Sequence, residues 1–315
     1  LFEMTVGAHV HFLNRIPSPK IIMQALGEIK PHIIVAVPLI IEKIYKTKVK
    51  PILEKNKIFF KLPILDKLAG KKICDEFTSS FGGRFEEVIL GGAAFNPEVE
   101  AFFHKIGFRY SVGYGMTEGA PIFSYAYWDH TRLGSCGVVA PWHQMKIESP
   151  DPQNIPGEVM FKGPNVFLGY YKNPEATAAT ITDDGWIHTG DVGVVDKDGF
   201  LYLRGRSKCM ILGPSGQNIY PEELEAVINN VKYVIDSLVV EDHVGLVALV
   251  YADENIAAAD GIEAKNLGEY LNRNVLPEVN KVLPNYAQIK KMELIPEDFE
   301  RTPKKSIKRY LYQRK

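Results

Sequence analysis

Tyr114-Gly115-Met116-Thr117-Glu118 carries a hydroxyl and a carboxylate at the end of a predicted short strand, at 110–114. A threonine hydroxyl beside a carboxylate can bind a phosphate oxygen and its magnesium ion, since Mg²⁺ prefers a carboxylate together with substrate phosphates. A helix N-terminus with Thr117 as its cap and Glu118 in its first turn accounts for the same residues equally well. The pentapeptide alone leaves both explanations open.

The residues on the N-terminal side of this stretch alternate between predicted strands and helices. Strands are predicted at 33–38 and 85–90, and helices follow them at 41–53 and 97–103. This alternation indicates a mostly parallel α/β sheet. Gly91-Gly92-Ala93 follows the second strand directly, where glycine lets the backbone approach a flat ligand. A tight strand-to-helix turn is the more ordinary explanation of these three residues.

The pattern changes after about residue 125, where short predicted strands follow one another between turn signals. These strands lie at 157–161, 186–189, 193–195 and 201–203, and the pairs Asp184-Gly185 and Asp198-Gly199 predict hairpin turns. We therefore predict an antiparallel, barrel-like section. Asp191 follows one of these strands and can accept hydrogen bonds from both hydroxyls of a ribose, although a turn aspartate is commoner beside glycine.

A third pattern begins after residue 205. Arg206 suits contacts with a ribose or phosphate, but it also fits a solvated basic linker. Pro221 is well placed in the first turn of a helix. Strands at 237–240, 246–251 and 292–295 and a helix at 267–275 complete a small α+β domain. We therefore expect two domains, 1–205 and 206–315, the first being α/β to about residue 125 and barrel-like after it.

Composition and charge exclude several classes of protein. The chain has 315 residues, long enough for about two domains, and 46% of them are hydrophobic. Its 37 basic and 38 acidic residues argue against a nucleic-acid binder, which needs a basic face. The three separated cysteines favour a reduced, cytoplasmic protein. The longest apolar run, 33–41, is too short to span a bilayer, which leaves peripheral membrane contact open.

Five ordered segments together resemble the adenylate-forming superfamily, which includes acyl-CoA synthetases, luciferases and peptide-synthetase adenylation domains. They are Gly91-Gly92-Ala93, Tyr114-Gly115-Met116-Thr117-Glu118, 157–171, 186–191 and Gly205-Arg206-Ser207-Lys208. The resemblance covers nearly the whole chain from about residue 37. It implies the C-terminal part of a large α/β AMP-binding domain with a barrel-like subdomain, followed by a small mobile α+β domain.

The resemblance also implies roles for individual residues, with ATP or AMP, Mg²⁺ and coenzyme A as ligands. Gly91, Gly92 and Ala93 would line the adenine and acyl pocket, next to the stretch Tyr114-Gly115-Met116, whose tyrosine would lie against the adenine. The remaining assignments are Thr117 to the α-phosphate, Glu118 to Mg²⁺, Asp191 and Arg206 to the ribose, Lys208 to a hinge, and Gly216 to a loop that meets coenzyme A.

Two segments are similar to the long-chain fatty-acid branch of this superfamily. They are 37–45 and Ile307-Lys308-Arg309-Tyr310-Leu311-Tyr312, although Leu39 replaces an arginine often seen in the branch. The implied function is ATP-dependent activation of a long-chain fatty acid to acyl-adenylate and then acyl-CoA. Two alternatives are a ligase for an aryl or short-chain acid on the same fold and a noncatalytic nucleotide- or CoA-binding module.

Two features depart from the family pattern. Residues 1–36 contain no Gly-rich phosphate loop, and residue 1 is leucine, so we expect the sequence to begin inside a longer protein and this fragment to be inactive in adenylation. Near the other end, Ser306 stands where the family has its catalytic lysine. Lys305 is adjacent and carries a flexible ammonium, so we assign the catalytic role to Lys305. A solvated basic tail is the simpler explanation of the neighbouring lysines.

Overall fold

A computed structural model describes residues 7–13, 19–55, 63–213, 216–302 and 306–314. The chain forms two compact units, Leu1–Ala140 and Pro141–Lys315. The domain boundary expected after residue 205 stays a prediction. In the part of the chain that is described, no helix has both the length and the apolar character needed to cross a membrane.

The first unit is built around a parallel sheet. Its elements in chain order are α1 (Pro19–Ile29), β1 (Ile33–Ala36), α2 (Pro38–Ile44), α3 (Lys50–Lys55), α4 (Pro63–Ser79), β2 (Glu87–Leu90), α5 (Pro97–Ile106), β3 (Tyr110–Val112), β4 (Ser124–Tyr125) and β5 (Val138–Val139). The strands β1, β2 and β3 pair in that order and are all parallel, whereas β4 and β5 form a separate antiparallel pair. The parallel α/β arrangement predicted from the alternating pattern is therefore confirmed.

Local sequence explains where the helices of this unit begin and end. Helix α2 starts at Pro38, earlier than predicted, because proline has no N–H to leave unpaired in a first turn. Helix α5 starts after Asn96, whose side chain accepts hydrogen bonds from the N–H groups of Glu98 and Val99. A hydrogen bond then joins the two helices, since the Asn96 N–H donates to a carboxylate oxygen of Glu42 in α2 at 2.8 Å. Phe103 of α5 is fully buried among other aromatic rings.

The first half of the second unit is antiparallel. Its elements are β6 (Gln144–Glu148), β7 (Gly157–Lys162), α6 (Pro174–Thr180), β8 (Ile187–Val195), β9 (Leu201–Arg206), β10 (Ile211–Leu212) and β11 (Asn218–Ile219). Strands β6 to β9 pair in chain order, and β10 pairs with β11. The sheet β6–β9 is the predicted barrel-like section, and in the described residues it does not close into a barrel.

One strand assignment in this section was wrong. The segments 186–189 and 193–195 were predicted as separate strands, but they belong to the single strand β8. Gly190, with φ of 70°, lies between the two segments. The ladders on both sides of β8 instead shift register, between Glu158 and Met160 on one side and between Val192 and Gly193 on the other. The irregularity is absorbed as bulges, which bend a strand without ending it.

The second half of this unit has its own sheet. Its elements are α7 (Pro221–Ile228), β12 (Val234–Asp242), β13 (Gly245–Ala252), α8 (Glu254–Ala259), α9 (Ala264–Tyr270), α10 (Leu276–Val282) and β14 (Ile289–Leu294). Strand β13 lies between an antiparallel β12 and a parallel β14. Apolar side chains are buried on both faces of the sheet, with Val239 and Ala248 on one face and Leu238 and Val247 on the other. The predicted α+β character is confirmed.

In the first unit, two glycines in the segment before β5 provide a matched test of how closely this segment packs against β4. Gly134 and Gly137 both have positive φ, 74° and 79°. A methyl group at Gly134 meets no atom within 4 Å, whereas one at Gly137 would overlap the backbone of Tyr125 in the neighbouring strand. We predict that Gly134→Ala costs about 1 kcal/mol and that Gly137→Ala costs at least about 2 kcal/mol more, because only the second displaces backbone. Urea unfolding of both variants measures this difference, and equal losses would contradict it.

Candidate functional site

Three strand ends of the first unit lie side by side and carry two of the quoted motifs. The Gly91 N–H donates to the Ala36 carbonyl at the end of β1, at 3.3 Å. The Gly113 N–H donates to the Leu90 carbonyl at the end of β2, at 2.8 Å. The stretch Gly91-Gly92-Ala93 therefore begins at the same sheet edge as Tyr114, and its second and third residues are exposed. Carboxyl ends of parallel strands are where ligands bind in open α/β sheets.

Tyr114 is held firmly at this edge. Its N–H donates to the Ser124 carbonyl at 2.9 Å, and its carbonyl accepts from the Phe123 N–H at 2.8 Å. The residue is only 8% exposed, so a ligand at this edge meets little of the ring. Gly115 and Met116 follow it in an extended connection and are half-buried.

Thr117 and Glu118 lie in a short 3₁₀ turn, Thr117–Gly119. Met116, not Thr117, occupies the cap position of this turn, so the explanation of Thr117 as a helix cap is wrong. The turn begins at Thr117, one residue earlier than that explanation needs, because Met116 is the last residue before it with extended backbone angles. Thr117 is exposed and Glu118 is half-buried, and both follow the end of β3.

In the second unit, Asp191 and Arg206 are direct partners in the β8–β9 ladder. The Arg206 Nε lies 3.1 Å from the Asp191 Oδ1, with the aspartate side chain 13% exposed and the arginine side chain 67% exposed. Asp191 lies inside a strand, so the explanation of it as a turn aspartate is wrong. The strand continues through Asp191 because its neighbours bulge rather than turn. The pair presents an acceptor and a donor in fixed relative positions.

Two residues to which the sequence analysis gave no role, Thr189 and Glu158, hold the backbone at Asp191 and at Gly190 beside it. The Thr189 hydroxyl donates to the Val159 carbonyl at 2.7 Å and accepts from the Asp191 N–H at 3.1 Å. The Gly190 N–H donates to a Glu158 carboxylate oxygen at 2.9 Å. Glu158 and Thr189 both lie in quoted motif segments, but their partners are defined only by the pairing of β7 with β8.

Lys208 and Gly216 lie further along the same unit. Lys208 is exposed in the 3₁₀ turn Ser207–Cys209 that follows β9, and the Ser207 hydroxyl donates to the Gly190 carbonyl at 3.1 Å. Gly216 is exposed in the connection between β10 and β11, where its N–H donates to the Gly213 carbonyl at 2.9 Å.

The proposed catalytic Lys305 lies outside the described residues, as do its two preceding neighbours. The chain on either side is anchored: the Thr302 N–H donates to the Ser306 carbonyl at 2.8 Å. Lys308, which the sequence analysis did not favour as the catalytic lysine, lies 3.1 Å from Glu300.

Arg309 ties the C-terminal segment to helix α7. Its guanidinium donates to a carboxylate oxygen of the buried Glu225 and lies 3.6 Å from Glu222. The other Glu225 oxygen accepts from the Val239 N–H at 2.7 Å. Burial raises the pKa of Glu225 to about 7, against the opposing effect of Arg309. The sequence analysis quoted Arg309 without assigning it this contact, since its partner is far away in the chain.

Comparison with known protein families gives two matches. The model of the AMP-binding enzyme family matches residues 1–171, and that of the AMP-binding enzyme C-terminal domain matches residues 210–315. The long-chain-fatty-acid–CoA ligase FadD15 of Mycobacterium bovis is 26% identical over 98% of this chain and 56% of its own length. The 2-succinylbenzoate–CoA ligase of Bacillus cytotoxicus is 41% identical over 48% of this chain and 32% of its own length.

Solved structures agree with the fold. The o-succinylbenzoate coenzyme A synthetase of Bacillus subtilis, in complex with ATP and magnesium ion, superposes with a TM-score of 0.73 at 22% identity. The superposition covers 98% of this chain and 56% of that one. The chain thus has the fold of the second half of such enzymes, and it spans about half the length of the FadD15 relative.

The Arg309–Glu225 contact gives a pH-dependent prediction. In Arg309→Met, the buried Glu225 keeps its desolvation cost and loses its cation, so we expect a loss of up to about 3–5 kcal/mol. A glutamate whose folded pKa is raised destabilises the protein as pH rises from about 4.5 toward that pKa. The loss should therefore be larger at about pH 8 than at about pH 6.

The double variant Arg309→Met/Glu225→Gln keeps an acceptor for Val239 but removes the charge. We expect it to be more stable than Arg309→Met at the higher pH and to show a flatter pH dependence. Denaturant unfolding of both variants at the two pH values measures this. A pH-independent loss in the single variant would contradict a buried, charged Glu225.

Proposed function

Since the chain belongs to the AMP-binding enzyme family of adenylate-forming acid–CoA ligases, we propose that it forms the second half of a ligase that activates a long-chain fatty acid. The carboxylate of the acid attacks the α-phosphorus of ATP, giving acyl-adenylate and pyrophosphate. The thiolate of coenzyme A then attacks the acyl carbon and releases AMP. The single observation that best supports this proposal is the Asp191–Arg206 pair at the β8–β9 ladder.

Asp191 suits the ribose because its carboxylate is fixed before a ligand arrives. Its backbone is held through Thr189, and its side chain is held by Arg206. A carboxylate accepts hydrogen bonds from two vicinal hydroxyls, and charge-assisted bonds of this kind are about twice as strong as neutral ones. Arg206, which is largely exposed, retains donors for ligand oxygens beyond the one directed at Asp191.

The strand-end residues of the first unit are assigned, by family resemblance, to the adenine and phosphate groups of ATP. Gly91, Gly92 and Ala93 offer backbone to the adenine, and Tyr114 supports that edge. The exposed Thr117 hydroxyl donates to an α-phosphate oxygen. The half-buried Glu118 is a suitable Mg²⁺ ligand, and the ion would neutralise phosphate charge that develops during adenylation. Lys208 and Gly216 are assigned, by family resemblance, to the hinge and to the coenzyme A contact.

The acyl specificity rests on resemblance to relatives. The FadD15 ligase aligns along nearly the whole chain, whereas the 2-succinylbenzoate ligase matches under half of it. We therefore favour a long-chain fatty acid as the substrate. We also propose that the ligase acts in the cytoplasm, because its three cysteines are widely separated in the sequence. Pyrophosphate release by the full-length protein with palmitate, acetate, benzoate and 2-succinylbenzoate tests this choice. Preference for palmitate is expected, and preference for an aromatic acid would overturn the long-chain assignment while keeping the ligase.

Asp191→Ala tests the ribose assignment. The substitution removes charge-assisted hydrogen bonds worth roughly 1.5–3 kcal/mol, so AMP or ATP affinity should fall about tenfold or more. Calorimetric titration of the nucleotide into the full-length protein measures this. The control is Asp198→Ala, an exposed aspartate in the turn between β8 and β9, which should leave the affinity unchanged. Equal affinities for all three proteins would contradict the assignment.

Lys305→Ala tests the catalytic lysine. An ammonium placed against the reacting carboxylate and phosphate offsets charge in the transition state, and losing such a group costs about 10²–10³-fold in rate. We expect slow adenylation but normal thioester formation from preformed acyl-adenylate. The control is Lys308→Ala, since Lys308 lies against Glu300. If both variants adenylate at the parental rate, Lys305 belongs to a solvated tail.

A further inference from the structure

Three metal-ligating side chains meet on one face of the sheet β6–β9. The β6–β7 register places Glu148 directly opposite Glu158. The next strand, β8, places the His188 Nδ1 3.1 Å from the second oxygen of Glu158. One nitrogen and two carboxylate oxygens, one from each residue, all lie within 4.8 Å of one another. The three ligands come from three adjacent strands, so the backbone ladder fixes their spacing.

The electrostatics of this cluster favour a cation. Like charges directly opposite each other in an antiparallel pair destabilise a sheet. Lys146 offsets part of this repulsion, since its Nζ lies 3.9 Å from a Glu148 oxygen. The same amine also lies 4.7 Å from the centre of the Trp186 ring, a second attraction that it can keep if Glu148 turns toward a metal ion.

Glu158 is already oriented as a metal ligand. Its Oε1 accepts the Gly190 N–H at 2.9 Å, which directs Oε2 toward His188. Ligating carboxylates in proteins are commonly held in this way by a hydrogen bond to the oxygen that does not bind the metal. Glu148, whose side chain is 50% exposed, has the freedom to close the remaining distance.

We propose that Glu148, Glu158 and His188 bind a divalent transition-metal ion, with Zn²⁺ as the best fit. One imidazole nitrogen and two carboxylate oxygens make a three-ligand set that leaves a fourth, tetrahedral position for water. The imidazole disfavours Mg²⁺ and Ca²⁺, which prefer oxygen ligands alone. The ion would replace the His188–Glu158 hydrogen bond and join β6, β7 and β8. The proposal does not rest on the proposed ligase activity or on the Mg²⁺ assigned to Glu118, although Glu158 also accepts the N–H of Gly190, next to Asp191.

Zn²⁺ binding to the chain tests the proposal without an activity assay. Calorimetry with Zn²⁺ alone, and thermal unfolding with increasing Zn²⁺, should show one saturable site that raises the midpoint, with no comparable effect of Mg²⁺. Glu148→Gln removes one ligand at an exposed position and leaves the His188–Glu158 contact in place. We expect this variant to bind Zn²⁺ about tenfold or more weakly. Without metal it should unfold at a temperature no lower than the parental one, because the substitution also removes the repulsion between the two glutamates.

Two controls distinguish this site from casual zinc binding. Asp129→Asn alters an exposed aspartate whose carboxylate lies 2.8 Å from the His130 ring, and among the described residues Asp129 belongs to no such cluster. The second control, His9→Ala/His11→Ala, removes two adjacent histidine rings. Both control variants should bind Zn²⁺ at Glu148, Glu158 and His188 as tightly as the parent does. The proposal is overturned if the parent shows no saturable zinc effect, or if Glu148→Gln binds Zn²⁺ as tightly as the parent.

Discussion

The backbone ladder between β7, β8 and β9 is the constraint on which the second unit's chemistry depends. It pairs Asp191 with Arg206, and the bulges beside Asp191 allow β8 to continue through Gly190. Two side chains add hydrogen bonds to this ladder: the Thr189 hydroxyl accepts from the Asp191 N–H, and a Glu158 carboxylate oxygen accepts from the Gly190 N–H. The ribose acceptor that we propose needs no rearrangement before binding, because its orientation is fixed by strands rather than by a loop.

The two units position their proposed ligand-binding residues in different ways. In the first unit, the ends of parallel strands bring Gly91 and Tyr114 to one edge through bonds to Ala36, Leu90 and Ser124. In the second unit, cross-strand neighbours supply the polar groups. Short motifs that are ambiguous one by one become informative together, because each marks a strand end or a strand pair whose position the fold fixes.

Much of this could be predicted from sequence, for identifiable reasons. An apolar run rich in β-branched residues predicted β1, and a run ending in Gly91-Gly92 predicted β2. Pro221 correctly marked the start of α7. Cross-strand register could not be predicted, because it depends on pairing between distant segments. The missed strand β6 has mixed polarity, and the Glu148–Glu158–His188 cluster exists only once β6, β7 and β8 are in register. Arg309 and Glu225 are likewise separated by 84 positions.

The central claim is that the Asp191–Arg206 pair binds the ribose of an adenine nucleotide. Calorimetric titration of AMP against 2′-deoxy-AMP and 3′-deoxy-AMP, into the full-length protein, tests it most directly. Each analogue lacks one of the two hydroxyls that would donate a hydrogen bond to the Asp191 carboxylate. Each should therefore bind about tenfold more weakly than AMP. Equal affinities for AMP and both analogues would contradict the claim.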